Sequence, residues 1–194
     1  LYAHYLGYYQ LLDEIHRKYP DVVIENCASG GLRMDIEMAS HCHFNFLSDP
    51  DYTEFHLQCY WGALSYLHQS ALLHFSWSQV LKFDKNHNLG IREPITEDWR
   101  FDFMIRAVLM GIPGFSYRLP DLSEWCLKRI KDHEVFYSDI CEDYILNGDA
   151  YRLSDQTVIG GKGGRLTVFG LVSSKKEEVV FGLRLLKGGG GETV

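Results

Sequence analysis

Short apolar runs alternate along most of the chain with longer segments in which apolar side chains recur at helical spacing. The apolar runs are residues 22–24, 44–47, 71–75 and 114–117. The helical spacing covers residues 2–18, 33–39, 53–67, 98–110 and 120–144, with a long polar loop up to residue 96. Buried strands that alternate with helices are typical of βα units, so the pattern predicts an α/β fold with a parallel sheet.

The pattern changes after Asn147-Gly148. Leu166 to Val172 and Val179 to Leu185 are strand-like, and the charged segment Ser173 to Glu178 separates them. Two strands joined by a short polar turn predict a hairpin from an antiparallel β domain. We therefore predict two domains, an α/β domain over residues 1–146 and the beginning of a β domain over residues 147–194.

Four βα units could form half of an eight-stranded (β/α)8 barrel or part of an open doubly wound sheet. The chain has no Gly-x-Gly-x-x-Gly phosphate loop, and its polar residues gather in the loops after the strands, where barrel active sites lie. These features favour the second half of a TIM barrel. Leu1 already stands in a helical pattern and the end is glycine-rich, over Gly188 to Gly191, so we expect a fragment of a longer protein.

Charge and cysteine content narrow the classes of function. The formal net charge is −7, which would repel phosphate backbones and argues against nucleic-acid binding. No apolar run approaches the roughly 20 residues of a membrane-spanning helix. Five cysteines without a Cys-x-x-Cys pair are typical of reduced thiols, which predicts a cytoplasmic protein.

Candidate chemistry lies in two loops that follow neighbouring predicted strands, residues 25–35 and residues 46–49. Gly30-Gly31 allows the first loop to approach a ligand closely. Asp49 closes the second loop, 22 residues after Cys27. A carboxylate at the mouth of a barrel among apolar side chains is suited to proton donation, because burial raises its pKa.

The segment Glu-Asn-Cys-Ala-Ser-Gly-Gly-Leu-Arg-Met-Asp at residues 25–35 resembles a hallmark of the family 36 glycoside hydrolases, the microbial α-galactosidases and their relatives. The resemblance implies that Cys27, Ala28, Ser29 and Gly30 line the sugar site. It also implies that Asp49, in the pair Ser48-Asp49, is the general acid/base. Arg100 resembles an arginine that opens a later barrel helix, and residues 147–153 resemble the family's first C-terminal β segment.

The resemblance implies a retaining enzyme that cleaves terminal α-linked galactose without a metal or organic cofactor. Its substrates would be α-galactoside oligosaccharides or glycosides, and the full-length protein is a candidate homo-oligomer. Two features depart from the family: Pro50 follows Asp49 where many members have asparagine, and no Lys-x-Asp-x-Asn nucleophile motif stands before the hallmark segment, in residues 1–24, where the family would place it. We therefore expect the chain alone to be inactive, and the alternative is a structural half-barrel that associates with a partner.

Other residues leave alternatives open. Asp49 could instead cap the following helix, and Cys27 could be a small buried side chain. His41-Cys42-His43 could mark a metal-dependent hydrolase, but the segment lies at the start of its strand, on the face opposite the expected site, so we predict no metal. His74, Ser76 and Trp77 end the third strand and are candidate sugar contacts.

Overall fold

The computed structural model describes residues 2–29, 31–48, 53–77, 98–116, 119–156 and 166–184. Within these ranges the side chains of residues 53–55, 77, 98–100, 121 and 184 are not described. The predicted loop through residue 96 lies outside the described residues.

The first part of the chain is a four-stranded parallel sheet with helices between the strands. The strands are β1 Glu25–Asn26, β2 Phe44–Phe46, β3 Leu72–Trp77 and β4 Ile112–Ser116, in spatial order β1-β2-β3-β4. The helices are α1 Tyr2–Lys18, α2 Ile36–Ser40, α3 Thr53–Ala63, α4 Asp98–Arg106 and α5 Glu124–Ile140. Sequential parallel strands joined by helices confirm the predicted partial barrel.

The first strand differs from its prediction. Val22 and Val23 were expected in a buried strand, but they are 45% and 59% exposed, and the strand pairing begins only at Glu25. Within the described residues β1 pairs on one side only, with β2. A strand at the edge of a sheet leaves flanking apolar side chains uncovered, so the prediction of a buried strand over residues 22–24 is wrong for this chain.

The two faces of the parallel sheet carry different side chains. On the helix-facing side, Leu72 of β3 packs with Leu57 and Tyr60 of α3, and all three are fully buried. On the opposite side, the rings of Phe46 and Phe75 lie 4.9 Å apart. Because side chains alternate between faces along a strand, the face of Phe46 and Phe75 corresponds to the interior of a barrel.

The chain after α5 forms an antiparallel sheet. Residues 141–146 extend α5 as a π-helical turn, and β5 Asp149–Arg152, β6 Leu166–Val172 and β7 Glu178–Arg184 follow in the order β5-β6-β7. The predicted hairpin is confirmed, with the Ser173 hydroxyl accepting hydrogen bonds from the amides of Lys175 and Glu177 in its turn. Strand β5 was not predicted.

The antiparallel sheet packs directly against α3. Phe169 and Leu183 share a buried core with Leu57 and Tyr60, and the rings of Tyr60 and Phe169 lie 5.0 Å apart. At the start of β5, Nε2 of His68 lies 2.7 Å from the Gly148 carbonyl oxygen. The division into domains at residue 146 stays a prediction, because the two sheets share this core.

No helix among the described residues combines the length and apolar character that crossing a membrane requires.

Candidate active site

The candidate site begins with the loop that follows β1. Asn26 is 5% exposed, whereas Cys27 and Ser29 are exposed and Ala28 is half-buried. Continuing the alternation of β1, Cys27 lies on the face of Phe46 and Phe75, since Asn26 is paired with Asn45 on the helix-facing side. Three predicted sugar-site residues are therefore grouped at the carboxyl end of β1, and Gly30 lies outside the described residues.

Backbone conformation brings this loop close to β2. Ser29 has φ 42° and Gly31 has φ 81°, both in the left-handed region that favours glycine. A Cβ atom at Gly31 would lie 2.9 Å from the carbonyl oxygen of Leu47. A glycine at this position therefore lets the loop lie against the end of β2.

Side chains of the hallmark segment hold the loop in shape. The Asn26 amide donates to the carbonyl oxygen of Arg33 at 2.8 Å and to Oδ1 of Asn45 at 2.9 Å. Nη2 of Arg33 donates to the carbonyl oxygen of Cys27 at 2.9 Å. Oδ1 of Asp35 accepts from the amide of Met38 at 3.0 Å and caps α2. Asn26, Arg33 and Asp35 thus have structural partners, while Cys27 and Ser29 face solvent.

The second loop starts at the end of β2. The Leu47 amide donates to the carbonyl oxygen of Leu73 at 3.1 Å, which continues the parallel pairing past Phe46. Burial raises the pKa of the Cys59 thiol on α3, and a hydrogen bond with the Ser48 side chain opposes that shift. Asp49 follows Ser48 directly in the sequence but lies outside the described residues, so its role stays a prediction.

The third strand corrects two predicted contacts. His74 is fully buried and Ser76 is 2% exposed, and the His74 ring packs against Tyr60 of α3 at 4.6 Å between centroids. Both residues share the helix-facing side with Leu72, so the prediction that they contact a sugar is wrong. The Trp77 side chain and that of Arg100, in the first turn of α4, lie outside the described residues.

Sequence reasoning missed a histidine pair behind β3. The rings of His56 and His74 stack at 6.5 Å, and none of their four nitrogens has a hydrogen-bond partner within the part of the chain that the structure describes. Burial lowers the pKa of His56 to about 4, and burial together with the charge of His56 lowers that of His74. Both imidazoles are therefore neutral at neutral pH and lie buried between α3 and β3. No signal in the sequence distinguished them from the exposed histidines.

The proposed metal alternative at the start of β2 does not fit the geometry. Nδ1 of His41 lies 2.6 Å from Oδ1 of Asp13, and its ring stacks on Tyr9 at 4.6 Å. Nδ1 of His43 accepts from the amide of Ile24 at 3.0 Å. Among the described residues, no three His, Cys, Asp or Glu side chains are grouped to hold a metal ion. The two histidines dock α1 and β1 onto this end of the sheet.

A second polar cluster, also missed from the sequence, lies between α4 and α5. Arg129 binds the buried carboxylate of Asp102 through Nε and Nη2, and Nε of Arg106 donates to Nε2 of His133 at 3.1 Å. His133 donates from Nδ1 to the carbonyl oxygen of Arg129 at 2.7 Å. A cavity of about 520 Å³ lies between this cluster and β7. The cluster ties α4 to α5.

Known proteins that are similar to this chain agree with the resemblance that the hallmark segment carries. Residues 1–96 match the family model of melibiase. Alpha-galactosidase 1 of Pediococcus pentosaceus is 26% identical over 149 residues, which cover 76% of this chain and 19% of that protein.

Solved structures share the fold over nearly the whole chain. The GH36 α-galactosidase AgaA of Geobacillus stearothermophilus, in a substituted form in complex with raffinose, matches with a TM-score of 0.73 and 21% identity, covering 96% of this chain and 24% of that one. The α-galactosidase of Lactobacillus brevis matches with a TM-score of 0.74 and 22% identity, covering 96% and 23%. The chain spans about a fifth to a quarter of the length of these relatives.

Proposed function

We propose that this chain is part of an enzyme that removes terminal α-linked galactose. The melibiase family-model match over residues 1–96 supports the proposal, and the fold shared with GH36 α-galactosidase structures agrees with it. The observation that carries the proposal is the loop Cys27-Ala28-Ser29 at the carboxyl end of β1, with Cys27 and Ser29 exposed, next to the strand whose following loop leads to Asp49. In a barrel, loops at this end of adjacent strands surround one pocket.

In the proposed mechanism Asp49 acts as general acid and then as general base. It protonates the oxygen of the leaving group while a second carboxylate attacks the anomeric carbon and the glycosidic bond breaks. Asp49 then removes a proton from the water that hydrolyses the glycosyl-enzyme, so the product keeps its anomeric configuration. The second carboxylate comes from a part of the protein outside residues 1–194, as the family resemblance implies.

Raffinose-type oligosaccharides are proposed as substrates, because the AgaA protein of G. stearothermophilus was solved in complex with raffinose. A cytoplasmic location belongs to the same proposal, and all five cysteines are free.

Proton NMR of the first-formed product tests the reaction. The full-length protein is expected to release α-galactose from p-nitrophenyl α-galactoside and from raffinose, with p-nitrophenyl β-galactoside as the matched control that stays intact. First-formed β-galactose would contradict the retaining mechanism, and no release from either α-galactoside would contradict the substrate class.

The chain by itself is proposed to be inactive, because retaining glycosidases need two carboxylates about 5 Å apart. Within the described residues β1 presents one unpaired edge, and the apolar side chains of Val22 and Val23, which precede β1 directly in the sequence, are exposed. Such an edge favours association with a further part of the barrel. Adding the upstream half of the full-length protein to residues 1–194 is expected to restore turnover. Turnover by residues 1–194 alone, at the rate of the full-length protein, would contradict this proposal.

A further inference from the structure

We propose that Arg33 is a positioning residue for galactoside binding, acting through the peptide group between Cys27 and Ala28. The inference rests on the proposed function, because it takes the Cys27-Ala28-Ser29 loop to contact the sugar. Arg33 itself lies near the other end of the loop over residues 25–35 and is assigned no contact with substrate.

Two reciprocal hydrogen bonds close the loop. Nη2 of Arg33 donates to the carbonyl oxygen of Cys27 at 2.9 Å, and the Asn26 amide donates to the carbonyl oxygen of Arg33 at 2.8 Å. Each end of the loop therefore binds the backbone of the other through a side chain. Because Asn26 also donates to Asn45 of β2, this closure is anchored to the neighbouring strand.

The guanidinium group is held from a second direction by α1. Its central carbon lies 5.6 Å from the ring centroid of Tyr8, within the range of a cation–π contact. A planar guanidinium can stack on a ring and donate in its own plane at the same time, which a lysine ammonium cannot do. The geometry therefore requires arginine at position 33 if the Cys27 carbonyl is to stay oriented.

Orientation of that carbonyl fixes the hydrogen-bond donor on the other side of the same peptide. The peptide group is planar and trans, so a carbonyl oxygen held toward Arg33 turns the Ala28 N–H away from it. Ser29, the next residue, has φ 42°, a conformation that costs free energy for a non-glycine residue and persists only where the surroundings impose it. Loss of Arg33 would release both features from the positions that the sugar requires.

Steady-state kinetics of the full-length protein test the proposal with Arg33→Ala and Arg33→Lys. The KM for p-nitrophenyl α-galactoside and the inhibition constant of D-galactose are expected to rise together, about 10- to 30-fold in Arg33→Ala, with kcat changed less than about threefold. Arg33→Lys keeps a charged donor but not the planar guanidinium. Both constants are expected to rise in this variant as well, by about a third of the factor seen in Arg33→Ala or more. Arg17→Ala removes the same charge from an exposed position on α1 and is the matched control, with unchanged constants.

A merely structural role predicts a different result. Fewer correctly folded molecules would lower the apparent kcat and leave KM and the inhibition constant unchanged, and that outcome would overturn the proposal. If Arg33→Ala does not fold, Arg33→Lys and Tyr8→Leu give the same readout, and unchanged KM in both would overturn it equally.

Labelling of Cys27 separates this proposal from the proposed function. Cys27 is exposed, so its rate of alkylation by iodoacetamide, followed by mass spectrometry, reports on the loop without any substrate. The rate is expected to change at least fivefold in Arg33→Ala and not in Arg17→Ala. If the wild type hydrolyses no α-galactoside but the labelling rate changes, the proposed function fails while Arg33 still positions the loop. An unchanged labelling rate overturns the positioning role.

Discussion

The helix-facing side of the parallel sheet and the loop after β1 are held together in different ways. Behind β3, on the helix-facing side, Leu57, Tyr60 and Leu72 are fully buried in a core that continues into the antiparallel sheet. In the loop after β1, Cys27 is exposed and Leu32 is 80% exposed, and side-chain hydrogen bonds to the backbone give the loop its shape. Buried apolar contacts therefore stabilise the first region and hydrogen bonds the second, which leaves Cys27 and Ser29, proposed to bind the sugar, accessible to solvent.

The largest expected difference in stability between the two regions comes from one pair of leucine truncations. Leu72→Ala removes a fully buried side chain and is expected to lower the free energy of unfolding by about 4 kcal/mol, from lost burial and the cavity that remains. Leu32→Ala is the matched control, and less than about 0.5 kcal/mol is expected. Urea titration of both variants measures the contrast. Equal losses of unfolding free energy would contradict the difference in packing between the core behind β3 and the loop after β1.

The buried histidine pair behind β3 makes the stability of the fold sensitive to acid. Burial lowers the pKa of His56 to about 4 from its ordinary 6.5 and moves that of His74 in the same direction. Between these values the unfolded chain binds more protons than the folded one, so stability is fully present above pH 6.5 and falls as the pH drops toward 4. The loss from His56 is at most about 3 kcal/mol.

Unfolding midpoints measured from pH 7 to pH 4 check this dependence. His56→Phe is expected to flatten the decline, whereas His4→Gln, at an exposed position of α1, is expected to leave it unchanged. A decline that His56→Phe does not alter would assign the acid sensitivity to other groups.

A glycine contrast gives a smaller effect. A Cβ atom at Gly111 would lie 2.6 Å from the carbonyl oxygen of Leu72 and 3.0 Å from the His74 ring, so Gly111→Ala is expected to cost about 2 kcal/mol of stability. Gly7 in α1 has open space at the same position, and Gly7→Ala is expected to gain about 0.5 kcal/mol from helix propensity. Thermal denaturation of both variants checks the signs, and a gain in Gly111→Ala would contradict the close packing behind β3.

The smallest effect belongs to the end of the loop after β1. Asp35→Ala removes the cap of α2 and is expected to cost about 1 kcal/mol, while Asp35→Asn retains most of the stability, because asparagine also caps helices. Chemical unfolding of the two variants measures the difference. A cost in Asp35→Asn as large as in Asp35→Ala would show that the charge, and not the cap, matters.

The sequence predicted the order of strands and helices well, because the spacing of apolar residues differs between a helix and a buried strand. It does not predict which side of a strand faces the helices. His74 and Ser76 are candidate sugar contacts from the sequence, but a shift of one residue moves every side chain to the other face. Val22 and Val23 were expected to be buried, since a β-branched run resembles an interior strand whether or not a neighbour covers it. The hallmark segment points to the candidate site loop, but only the contacts distinguish the supporting Asn26, Arg33 and Asp35 from the exposed Cys27 and Ser29.

Replacement of Asp49 tests the central claim most directly. In the full-length protein, Asp49→Asn is expected to lower kcat/KM for aryl α-galactosides with poor leaving groups by about 10³-fold or more, and to lower it far less for good leaving groups, because only the poor ones need a proton in the first step. The kcat for good leaving groups is expected to fall, because the second step loses its general base. Added azide should restore turnover of good leaving groups by replacing base-activated water and should yield α-galactosyl azide. Asp139→Asn, at an exposed position of α5, is the control. Hydrolysis of poor leaving groups by Asp49→Asn at the wild-type rate would contradict the assignment of Asp49 as the acid/base.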